Sequence, residues 1–399
     1  MDITIQPRPL QGQVQIIPSK SQAHRLLICA AFADSGTSLV CPQASKDIAA
    51  TVACLEALGA KITRTDWGYQ ITPITAVPTT AVLPCGESGS TLRFLLPIAG
   101  ALGVDAIFQT EGRLSQRPLS PLWEEMERMG CRLEWLDSSK LRCCGKLHSG
   151  EYRIDGSVSS QFITGLLFAA SLMEGKSRIV ILGNLESKDY VEMTRQAMAM
   201  FQIHTDDLCV NGGQNYHSPS KITVEGDWSN GAFWLAAKAL GSSVEIGGLD
   251  EHSAQGDRAV VPILQQLEAD HPQISAVDIP DLVPILAVFA AANHGATFTG
   301  IRRLRLKESD RVDSTLNMIR KLGGNAEATQ DRLTVYPGVF RGGIVDACND
   351  HRIAMAAAIA ATICTEPVTI LGAEAVGKSY PGFWEEYQHL GGFYDQHIW

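Results

Sequence analysis

Hydrophobic and polar residues follow one recurring order along the chain: an amphipathic helix end, then glycine or a substitute, then a short β-branched stretch. Glycine is common after a helix end because it adopts the left-handed backbone that closes the last turn. Gly59 and Gly130 are 71 residues apart, whereas Leu267 and Leu322 are 55 apart. The pattern predicts two halves of three units each, with helix ends at Leu58, Met129, Phe201, Leu267, Leu322 and Leu390.

Each unit combines helical and strand-like segments. Residues 177–182, Ser-Arg-Ile-Val-Ile-Leu, are typical of a strand, and residues 15–17 are interpreted in the same way. Such alternation predicts an α/β fold, or α+β, with mixed sheets. The units are longer than the roughly 20–45 residues of common solenoid repeats, so compact three-unit domains are favoured over an open superhelix. The seam between the halves is expected near residues 224–227.

Composition and charge limit the classes of function that the chain can have. The chain has 399 residues, of which 45% are hydrophobic and 19% charged, as in globular proteins. Its 33 Lys and Arg are outnumbered by 43 Asp and Glu, which gives a net charge of −10. This balance argues against a nucleic-acid partner, although an acidic chain can still carry a local cationic cleft.

Targeting signals are absent from the pattern. The first residues, Met-Asp-Ile-Thr-Ile, lack the order of a secretory leader. Apolar runs such as residues 162–173 are shorter than the ~18 residues of a membrane helix. Ten cysteines include no Cys-x-x-Cys pair. We therefore expect a cytoplasmic protein with no membrane partner, zinc knuckle or disulfide framework.

Polar segments precede apolar helices at three places in the first half: residues 18–25, 86–93 and 157–162. Serine hydroxyls, cations and free backbone N–H groups at a helix start suit an anion. Residues 112–119 add Arg113 and Arg117 before a helix expected to begin at Pro118, and arginine suits carboxylate or phosphate. Each segment alone is equally compatible with capping and solvated side chains.

The most distinctive cluster lies in the second half. Residues 303–311 read Arg-Leu-Arg-Leu-Lys-Glu-Ser-Asp-Arg, and residues 349–352 read Asn-Asp-His-Arg before the alanine-rich helix 353–361. Cations beside a carboxylate and a histidine suit a reaction that handles an anion and moves a proton. A solvated charged loop is the alternative interpretation.

Residues 372–379 match the G-x-x-x-x-G-K-S phosphate-loop pattern. That pattern needs a helix opening at the lysine, but Pro381-Gly382 interrupt within one turn. We predict no ATP site, although Lys378 can still hold an anion.

Cations near helix starts or turns recur in both halves. Their repetition in an acidic chain predicts one cleft between domains that accepts more than one negatively charged group. The cations are Lys20, Arg25, Arg93, Arg117, Lys307, Arg311, Arg352 and Lys378.

At these residues the chain resembles the EPSP synthase family of enolpyruvyl transferases, nearly end to end. The resemblance implies two similar domains, residues 18–225 and residues 1–17 with 226–399, each of three βαβαββ units, with the active site in the interdomain cleft. The matching segments are 19–21, 86–93, 116–118, 159–162, 187–190, 225–227, 255–257, 280–281, 307–311, 349–352 and 378–379.

The resemblance also implies the reaction and its ligands: enolpyruvyl transfer from phosphoenolpyruvate to the 5-hydroxyl of shikimate 3-phosphate, with phosphate released. No cofactor or metal is implied, and a monomer is expected. Shikimate 3-phosphate would contact Ser21, Arg25, Ser159, Ser160, Gln161, Ser187, Tyr190, Asp281 and Lys307. Phosphoenolpyruvate would contact Lys20, Gly89, Arg117, Gln161, Arg311, Arg352 and Lys378.

The reaction needs one group that accepts a proton and one that donates a proton, because the hydroxyl loses a proton while the methylene carbon gains one. By hypothesis Asp281 serves the hydroxyl and Glu308 the methylene. Lys20 and Lys378 stabilise phosphate charge and share proton transfer, and His351 completes the catalytic set.

Four positions depart from the usual family pattern. Pro18-Ser19 lacks an intervening glycine, His24 replaces asparagine, and Glu87 and Asp189 stand where asparagine and proline are usual. A carboxylate at Glu87 repels phosphoenolpyruvate unless it turns away or pairs with an arginine.

Two other functions are compatible with part of this pattern. UDP-N-acetylglucosamine enolpyruvyl transferases share the fold and donor, but carry Lys-Asn at Lys20-Ser21 and generally a cysteine within residues 112–118. A non-catalytic phosphate-binding repeat module would have no use for Asp281, Glu308 and His351 beside the cations.

Overall fold

The computed structural model describes residues 1–397. The chain forms two compact units, which we call the N-terminal unit (Pro18–Glu225) and the C-terminal unit (Met1–Ile17 with the residues from Gly226 onward). Within residues 1–397, no helix is long and apolar enough to cross a membrane.

Helices and strands alternate in both units, as the hydrophobic pattern predicts. The helices are α1 (Lys20–Ala31), α2 (Lys46–Ala57), α3 (Gly89–Leu102), α4 (Leu122–Arg128), α5 (Ser160–Leu172), α6 (Lys188–Met200), α7 (Trp228–Ala239), α8 (Val260–Gln266), α9 (Val283–Ala292), α10 (Arg311–Lys321), α11 (His351–Ala361) and α12 (Phe383–His389). Short 3-10 helices span Leu114–Gln116, Gly256–Ala259, Arg302–Leu306 and Ala373–Lys378.

The strands are short. They are β1 (Asp2–Gln6), β2 (Gln11–Gln15), β3 (Thr37–Val40), β4 (Lys61–Thr65), β5 (Gly68–Thr72), β6 (Thr80–Gly86), β7 (Asp105–Thr110), β8 (Cys131–Trp135), β9 (Lys140–Gly145), β10 (Glu151–Asp155), β11 (Lys176–Leu182), β12 (Thr205–Asp206), β13 (Cys209–Asn211), β14 (Lys221–Thr223), β15 (Ser243–Gly247), β16 (Gln273–Ser275), β17 (Ala296–Thr299), β18 (Asn325–Ala328), β19 (Arg332–Tyr336), β20 (Gly343–Asp346), β21 (Val368–Leu371) and β22 (Phe393–His397).

Five repeats within residues 1–397 each form a four-stranded sheet. In the second repeat, β6 and β7 run parallel with α3 between them, and α4 leads to the antiparallel hairpin of β8 and β9. The strand orders are β14-β3-β5-β4, β6-β7-β9-β8 and β10-β11-β13-β12 in the N-terminal unit, and β16-β17-β19-β18 and β20-β21-β1-β22 in the C-terminal unit. In the last of these sheets β1 pairs with both β21 and β22, so residues 2–6 complete it.

The fourth repeat is shorter than the others. Its sheet, within the described chain, consists of β2 and β15 alone. After α8 the chain proceeds to β16 of the next repeat without a hairpin. The missing hairpin accounts for the 55-residue spacing between Leu267 and Leu322.

All six predicted helix ends are confirmed. Leu58, Met129, Phe201, Leu267, Leu322 and Leu390 are the C-caps of α2, α4, α6, α8, α10 and α12. Gly59 follows with a φ of 109°, and Gln202 adopts a φ of 62° in the place of a glycine.

Two predicted boundaries are wrong. The helix expected at Pro118 begins at Leu122, because Pro121 occupies its N-cap and a 3-10 turn precedes it. β2 ends at Gln15, so Ile16 and Ile17 are not strand residues. They are nevertheless buried, which explains their apolar character.

The first helix of each N-terminal repeat is buried on nearly every side. α3 and α5 pack so closely that a Cβ at Gly165 would lie 2.3 Å from the Arg93 carbonyl oxygen and 3.1 Å from Pro97 Cγ. This contact sets the separation of the two helix starts that carry predicted site residues.

Gly165→Ala should therefore destabilise the N-terminal unit. The added methyl meets backbone and a rigid ring, so we expect a loss of about 1–3 kcal/mol and a melting transition lowered by several degrees in calorimetry. Gly338→Ala is the control, because nothing lies within 4 Å of its Cβ. An unchanged transition for Gly165→Ala would contradict the packing.

Candidate active site

Serines stand at the starts of the helices that carry the predicted anion-binding residues of the N-terminal unit. Ser19, Ser88 and Ser159 cap α1, α3 and α5, and each hydroxyl accepts a backbone N–H at 3.3 Å. The helices then open with Lys20-Ser21, Gly89 and Ser160-Gln161. Free N–H groups and the helix dipole make these starts favourable for anions.

Arg25 ties α1 to α6. Arg25 is 2% exposed, and its guanidinium donates to Thr194 Oγ1 at 2.8 Å, the Tyr190 carbonyl at 2.8 Å and the Ser21 carbonyl at 2.6 Å. Burial lowers the pKa of Arg25 to about 10, which leaves it protonated at neutral pH. The structure thus brings together Ser21, Arg25 and Tyr190, which sequence analysis assigned to one ligand.

Lys20 and Ser187 occupy other helix starts. Lys20 Nζ lies 3.0 Å from Asp47 Oδ2, so its ammonium already has a carboxylate partner. Ser187 is the buried N-cap of α6 and has a left-handed backbone with φ 55°.

Arg93 joins segments that the sequence identified separately; it was predicted as one of the cleft cations but was assigned to neither substrate. It donates to Gln161 Oε1 at 2.8 Å and to the Pro118 carbonyl at 3.1 Å, while Gln161 Nε2 donates to Ser90 at 3.0 Å. Its position near a helix start was the available signal, but its partners are remote in sequence.

Gly89 lies against Arg117. A Cβ at Gly89 would be 2.7 Å from Arg117 Nη1 and 3.1 Å from Arg93 Nη1. Nearby, Glu87 lies against Gly112, where a Cβ would be 2.6 Å from Glu87 Oε2. The unusual carboxylate is therefore directed at the segment that leads to Arg117.

Aspartates take the place of serines at the corresponding helix starts of the C-terminal unit. Asp227 caps α7 and Asp350 caps α11, accepting backbone N–H groups at 2.8 and 2.9 Å. Asp281 lies two residues before α9. Carboxylates here can pair with cations and handle protons.

Arg311 is the centre of the C-terminal cluster. It is 1% exposed and contacts Asp281 Oδ1 at 2.7 Å, Glu308 Oε2 at 2.7 Å and Asp350 Oδ2 at 3.0 Å. Burial alone would lower the pKa of Arg311, but the three carboxylates outweigh it and raise the pKa well above its ordinary value. Asp350 was not assigned from the sequence, although an aspartate before a helix signals a cap.

Asp281 has two further cationic neighbours. Lys307 Nζ lies 3.2 Å from Asp281 Oδ1, and Arg352 Nη2 lies 3.6 Å from Asp281 Oδ2. Burial lowers the pKa of Lys307, and Asp281 opposes this only in part. The side chains of Asp281 and Glu308 are each 20% exposed, which leaves them accessible to a ligand.

Lys378 and His351 adjoin the cluster. Lys378 Nζ donates to the Asn349 carbonyl at 2.7 Å, directly before Asp350. His351 is buried, with Nδ1 3.9 Å from Asp350 Oδ1. Lys378 ends a 3-10 helix and opens no α-helix, as predicted from Pro381. The structure thus gathers Asp281, Lys307, Glu308, Arg311, His351, Arg352 and Lys378 in one unit.

Helix starts that are favourable for anions and accessible carboxylates beside buried arginines suit an enzyme that transfers a group between anionic substrates. The sequence model of EPSP synthase (3-phosphoshikimate 1-carboxyvinyltransferase) matches residues 5–387. The chain therefore belongs to the EPSP synthase family.

Curated relatives span the whole chain. The 3-phosphoshikimate 1-carboxyvinyltransferase of Clostridium kluyveri is 39% identical over 420 aligned residues, covering 99% of this chain and 98% of that protein. That of Clostridium acetobutylicum is 37% identical over 424, covering 100% and 98%.

Solved structures confirm the fold. Two structures of EPSP synthase from Acinetobacter baumannii match with TM-scores of 0.79 and 0.80, at 22% and 21% identity. The alignments include 99% and 100% of this chain, and 100% of each solved chain.

Proposed function

We infer that this protein transfers the enolpyruvyl group of phosphoenolpyruvate to the 5-hydroxyl of shikimate 3-phosphate and releases phosphate. The observation that carries the inference is the double contact of buried Arg311 with Asp281 and Glu308, at 2.7 Å each. One cation thus holds both carboxylates that the two proton movements require. A simple phosphate-binding module has no need of this arrangement.

The addition step forms one C–O bond. We propose that Asp281 accepts the hydroxyl proton as the oxygen attacks C2 of phosphoenolpyruvate, while C3 receives a proton from Glu308. The electron pair of the C2–C3 double bond forms the new C–H bond, giving a tetrahedral adduct. Lys307, 3.2 Å from Asp281, stabilises the carboxylate before it accepts the proton.

The elimination step reverses the second proton movement. Glu308 takes a proton back from C3, the double bond re-forms, and the C2–O bond to phosphate breaks. Lys20 and Lys378 would stabilise the leaving phosphate, which departs with the electron pair of that bond. The proton on Asp281 balances the charge of the released phosphate.

Glu308 must carry a proton before it can donate one to C3, and in this structure its carboxylate contacts Arg311 at 2.7 Å. A substrate carboxylate that binds Arg311 and Arg352 competes with Glu308 for this cation. This competition would release Glu308 from Arg311 for its part in the proton transfer.

We propose that phosphoenolpyruvate contacts Lys20, Gly89, Arg117, Gln161, Arg311, Arg352 and Lys378. Shikimate 3-phosphate would contact Ser159 and Ser160 at the start of α5, Ser187 at the start of α6, and Ser21, Arg25, Gln161, Tyr190, Asp281 and Lys307.

Phosphate release tests this function. Purified protein should release phosphate from phosphoenolpyruvate with shikimate 3-phosphate as acceptor, and mass spectrometry should find the enolpyruvyl ether. UDP-N-acetylglucosamine in place of shikimate 3-phosphate should give no release. Activity with that sugar nucleotide alone would reassign the acceptor, and no activity with either would reject the transferase function.

Gly89→Ala should weaken phosphoenolpyruvate binding without unfolding the protein. The new methyl would meet the flexible end of Arg117, which can shift, but then no longer holds its place beside the helix start. We expect KM for phosphoenolpyruvate to rise about 10–100-fold, the loss of one charge-assisted contact of roughly 1.5–3 kcal/mol. KM for shikimate 3-phosphate should change little. Equal changes in both constants would contradict this role of Gly89.

A further inference from the structure

Residues 255–257 of the C-terminal unit are fixed to the first turn of α7. Gln255 Oε1 accepts the Trp228 N–H at 3.0 Å, and Gln255 Nε2 donates to the Gly226 carbonyl at 2.8 Å. Asp257 Oδ2 accepts the Ser229 hydroxyl. The proposed mechanism uses none of these groups. Asp257 is nevertheless a buried carboxyl, with 2% of the residue exposed.

The same turn positions two cations of the cluster. The Ser229 carbonyl accepts Arg352 Nη1 at 2.9 Å. Asn230 Nδ2 donates to Ser379 Oγ at 3.1 Å, and Ser379 follows Lys378. The first turn of α7 is therefore hydrogen-bonded to Arg352 and to Ser379, the residue after Lys378.

Charged groups surround Asp257 from each neighbouring element. Asp227 at the start of α7, Asp281 before α9 and Arg352 on α11 act on it electrostatically. In its own segment Arg258 is directed at the Glu251 carbonyl instead. Burial first, and Asp281 next, raise the pKa of Asp257 to about 7 against the opposing effects of Arg352 and Ser229.

Two polar atoms at this place lack hydrogen bonds. Within residues 1–397, Asp257 Oδ1 and Arg352 Nε have no hydrogen-bond partner. A buried carboxylate oxygen without a hydrogen bond is unfavourable, so an ionised Asp257, whose Oδ1 has none, would attract a cation with a free donor. Among the groups that act on Asp257, Arg352 is the cation with an unused donor.

We propose that Asp257 is a positioning residue that, as an uncharged carboxyl, holds the first turn of α7 and leaves Arg352 directed at the substrate. Its ionisation draws Arg352 inward and weakens phosphoenolpyruvate binding. The proposal rests on the proposed function, because it takes Arg352 as a ligand of phosphoenolpyruvate.

The proposal predicts in which direction KM for phosphoenolpyruvate changes with pH. Ionisation of Asp257 above neutrality should raise KM for phosphoenolpyruvate by about tenfold between roughly pH 6 and 8.5, the effect of about one pKa unit of coupling. Turnover at saturating substrate should change less. The phosphate group of phosphoenolpyruvate also titrates, but this changes KM equally for the wild type and every variant.

Asp257→Asn is the informative variant, since it keeps the size and neutrality of the uncharged carboxyl. Near pH 6 we expect kcat/KM of this variant to lie within about threefold of the wild-type value. Between roughly pH 6 and 8.5 its KM for phosphoenolpyruvate should not show the tenfold rise expected for the wild type. Asp105→Asn is the control, a carboxylate paired with Arg142 at 2.7 Å in the other unit. It should leave the pH profile unchanged.

Unfolding gives a second measurement that does not depend on activity. A carboxyl whose pKa is raised on folding makes the wild type lose stability as pH rises from about 4 to 7, the range between its unfolded and folded pKa values. The melting temperature of Asp257→Asn relative to the wild type should therefore rise over this range and then stay level. Infrared spectra of the wild type should lose a neutral-carboxyl band between about pH 6 and 8.5.

Three results would overturn the proposal: a tenfold or greater loss of kcat/KM in Asp257→Asn near pH 6, coincident pH profiles of variant and wild type, or no loss of a neutral-carboxyl band. The last decides the matter even if the variant does not fold. An inactive wild type would instead reject the proposed function, while the infrared and unfolding measurements would still report the state of Asp257.

Discussion

Asp281→Asn should reduce turnover by about 10³–10⁴-fold, in the upper part of the range for loss of a general base. The amide keeps the shape of the side chain but cannot accept the hydroxyl proton. Lys307 and Arg311 remain in place, so shikimate 3-phosphate should bind within about tenfold of the wild-type affinity. Steady-state kinetics and isothermal calorimetry measure the two quantities separately.

Asp310→Asn is the matched control for this variant. Asp310 caps α10 and pairs with Arg305 at 2.9 Å, and asparagine is an equally good cap. Its turnover should stay near the wild-type value. Near-normal turnover of Asp281→Asn, or an equal loss in Asp310→Asn, would reject the assignment of Asp281.

Arg311→Lys should impair both stability and activity. A single ammonium cannot reach Asp281, Glu308 and Asp350 together, and Asp350 is completely buried. Breaking a buried ion pair destabilises a protein by about 3–5 kcal/mol. We expect a lower melting temperature and a loss of kcat/KM of about 10²–10³-fold, from the charge-assisted contacts that the substrate carboxylate loses.

The second substitution Glu308→Gln should recover part of the melting temperature of Arg311→Lys, because it removes one carboxylate that lost its partner. It should not recover activity. Arg305→Lys serves as the control: Arg305 also contacts two carboxylates, but 29% of its side chain is exposed, so the effect should be about 1 kcal/mol or less. A destabilisation of Arg305→Lys equal to that of Arg311→Lys would contradict the central role of Arg311.

Local features of this fold could be predicted from the sequence because their causes are local. A helix end needs a residue that closes the last turn, and all six ends were correctly placed. The match of residues 372–379 to a phosphate loop could be rejected because Pro381 lies too close. The start of α4 was predicted wrongly because Pro118 and Pro121 are both suited to the start of a helix, and the sequence does not show which one takes that place.

Partnerships across the sequence could not be predicted in the same way. Arg93 holds Gln161, which is 68 residues away, and Lys20 holds Asp47. Asp350 pairs with Arg311 only because α10 and α11 pack together. The sequence indicates the chemistry of these side chains, whereas the pairing depends on the tertiary structure. The domain boundaries, the cleft between domains and the individual residue roles stay predictions.

The position of β1 between β21 and β22 has a consequence for synthesis on the ribosome. Residues 18–225 contain every strand and helix of their own unit, so that unit can fold as soon as it has emerged. Residues 2–6 must wait until residues 393–397 have been made. A segment that is translated before the whole N-terminal unit is thus among the last to become ordered, and until then the nascent C-terminal unit exposes an unpaired strand to chaperones and to neighbouring chains.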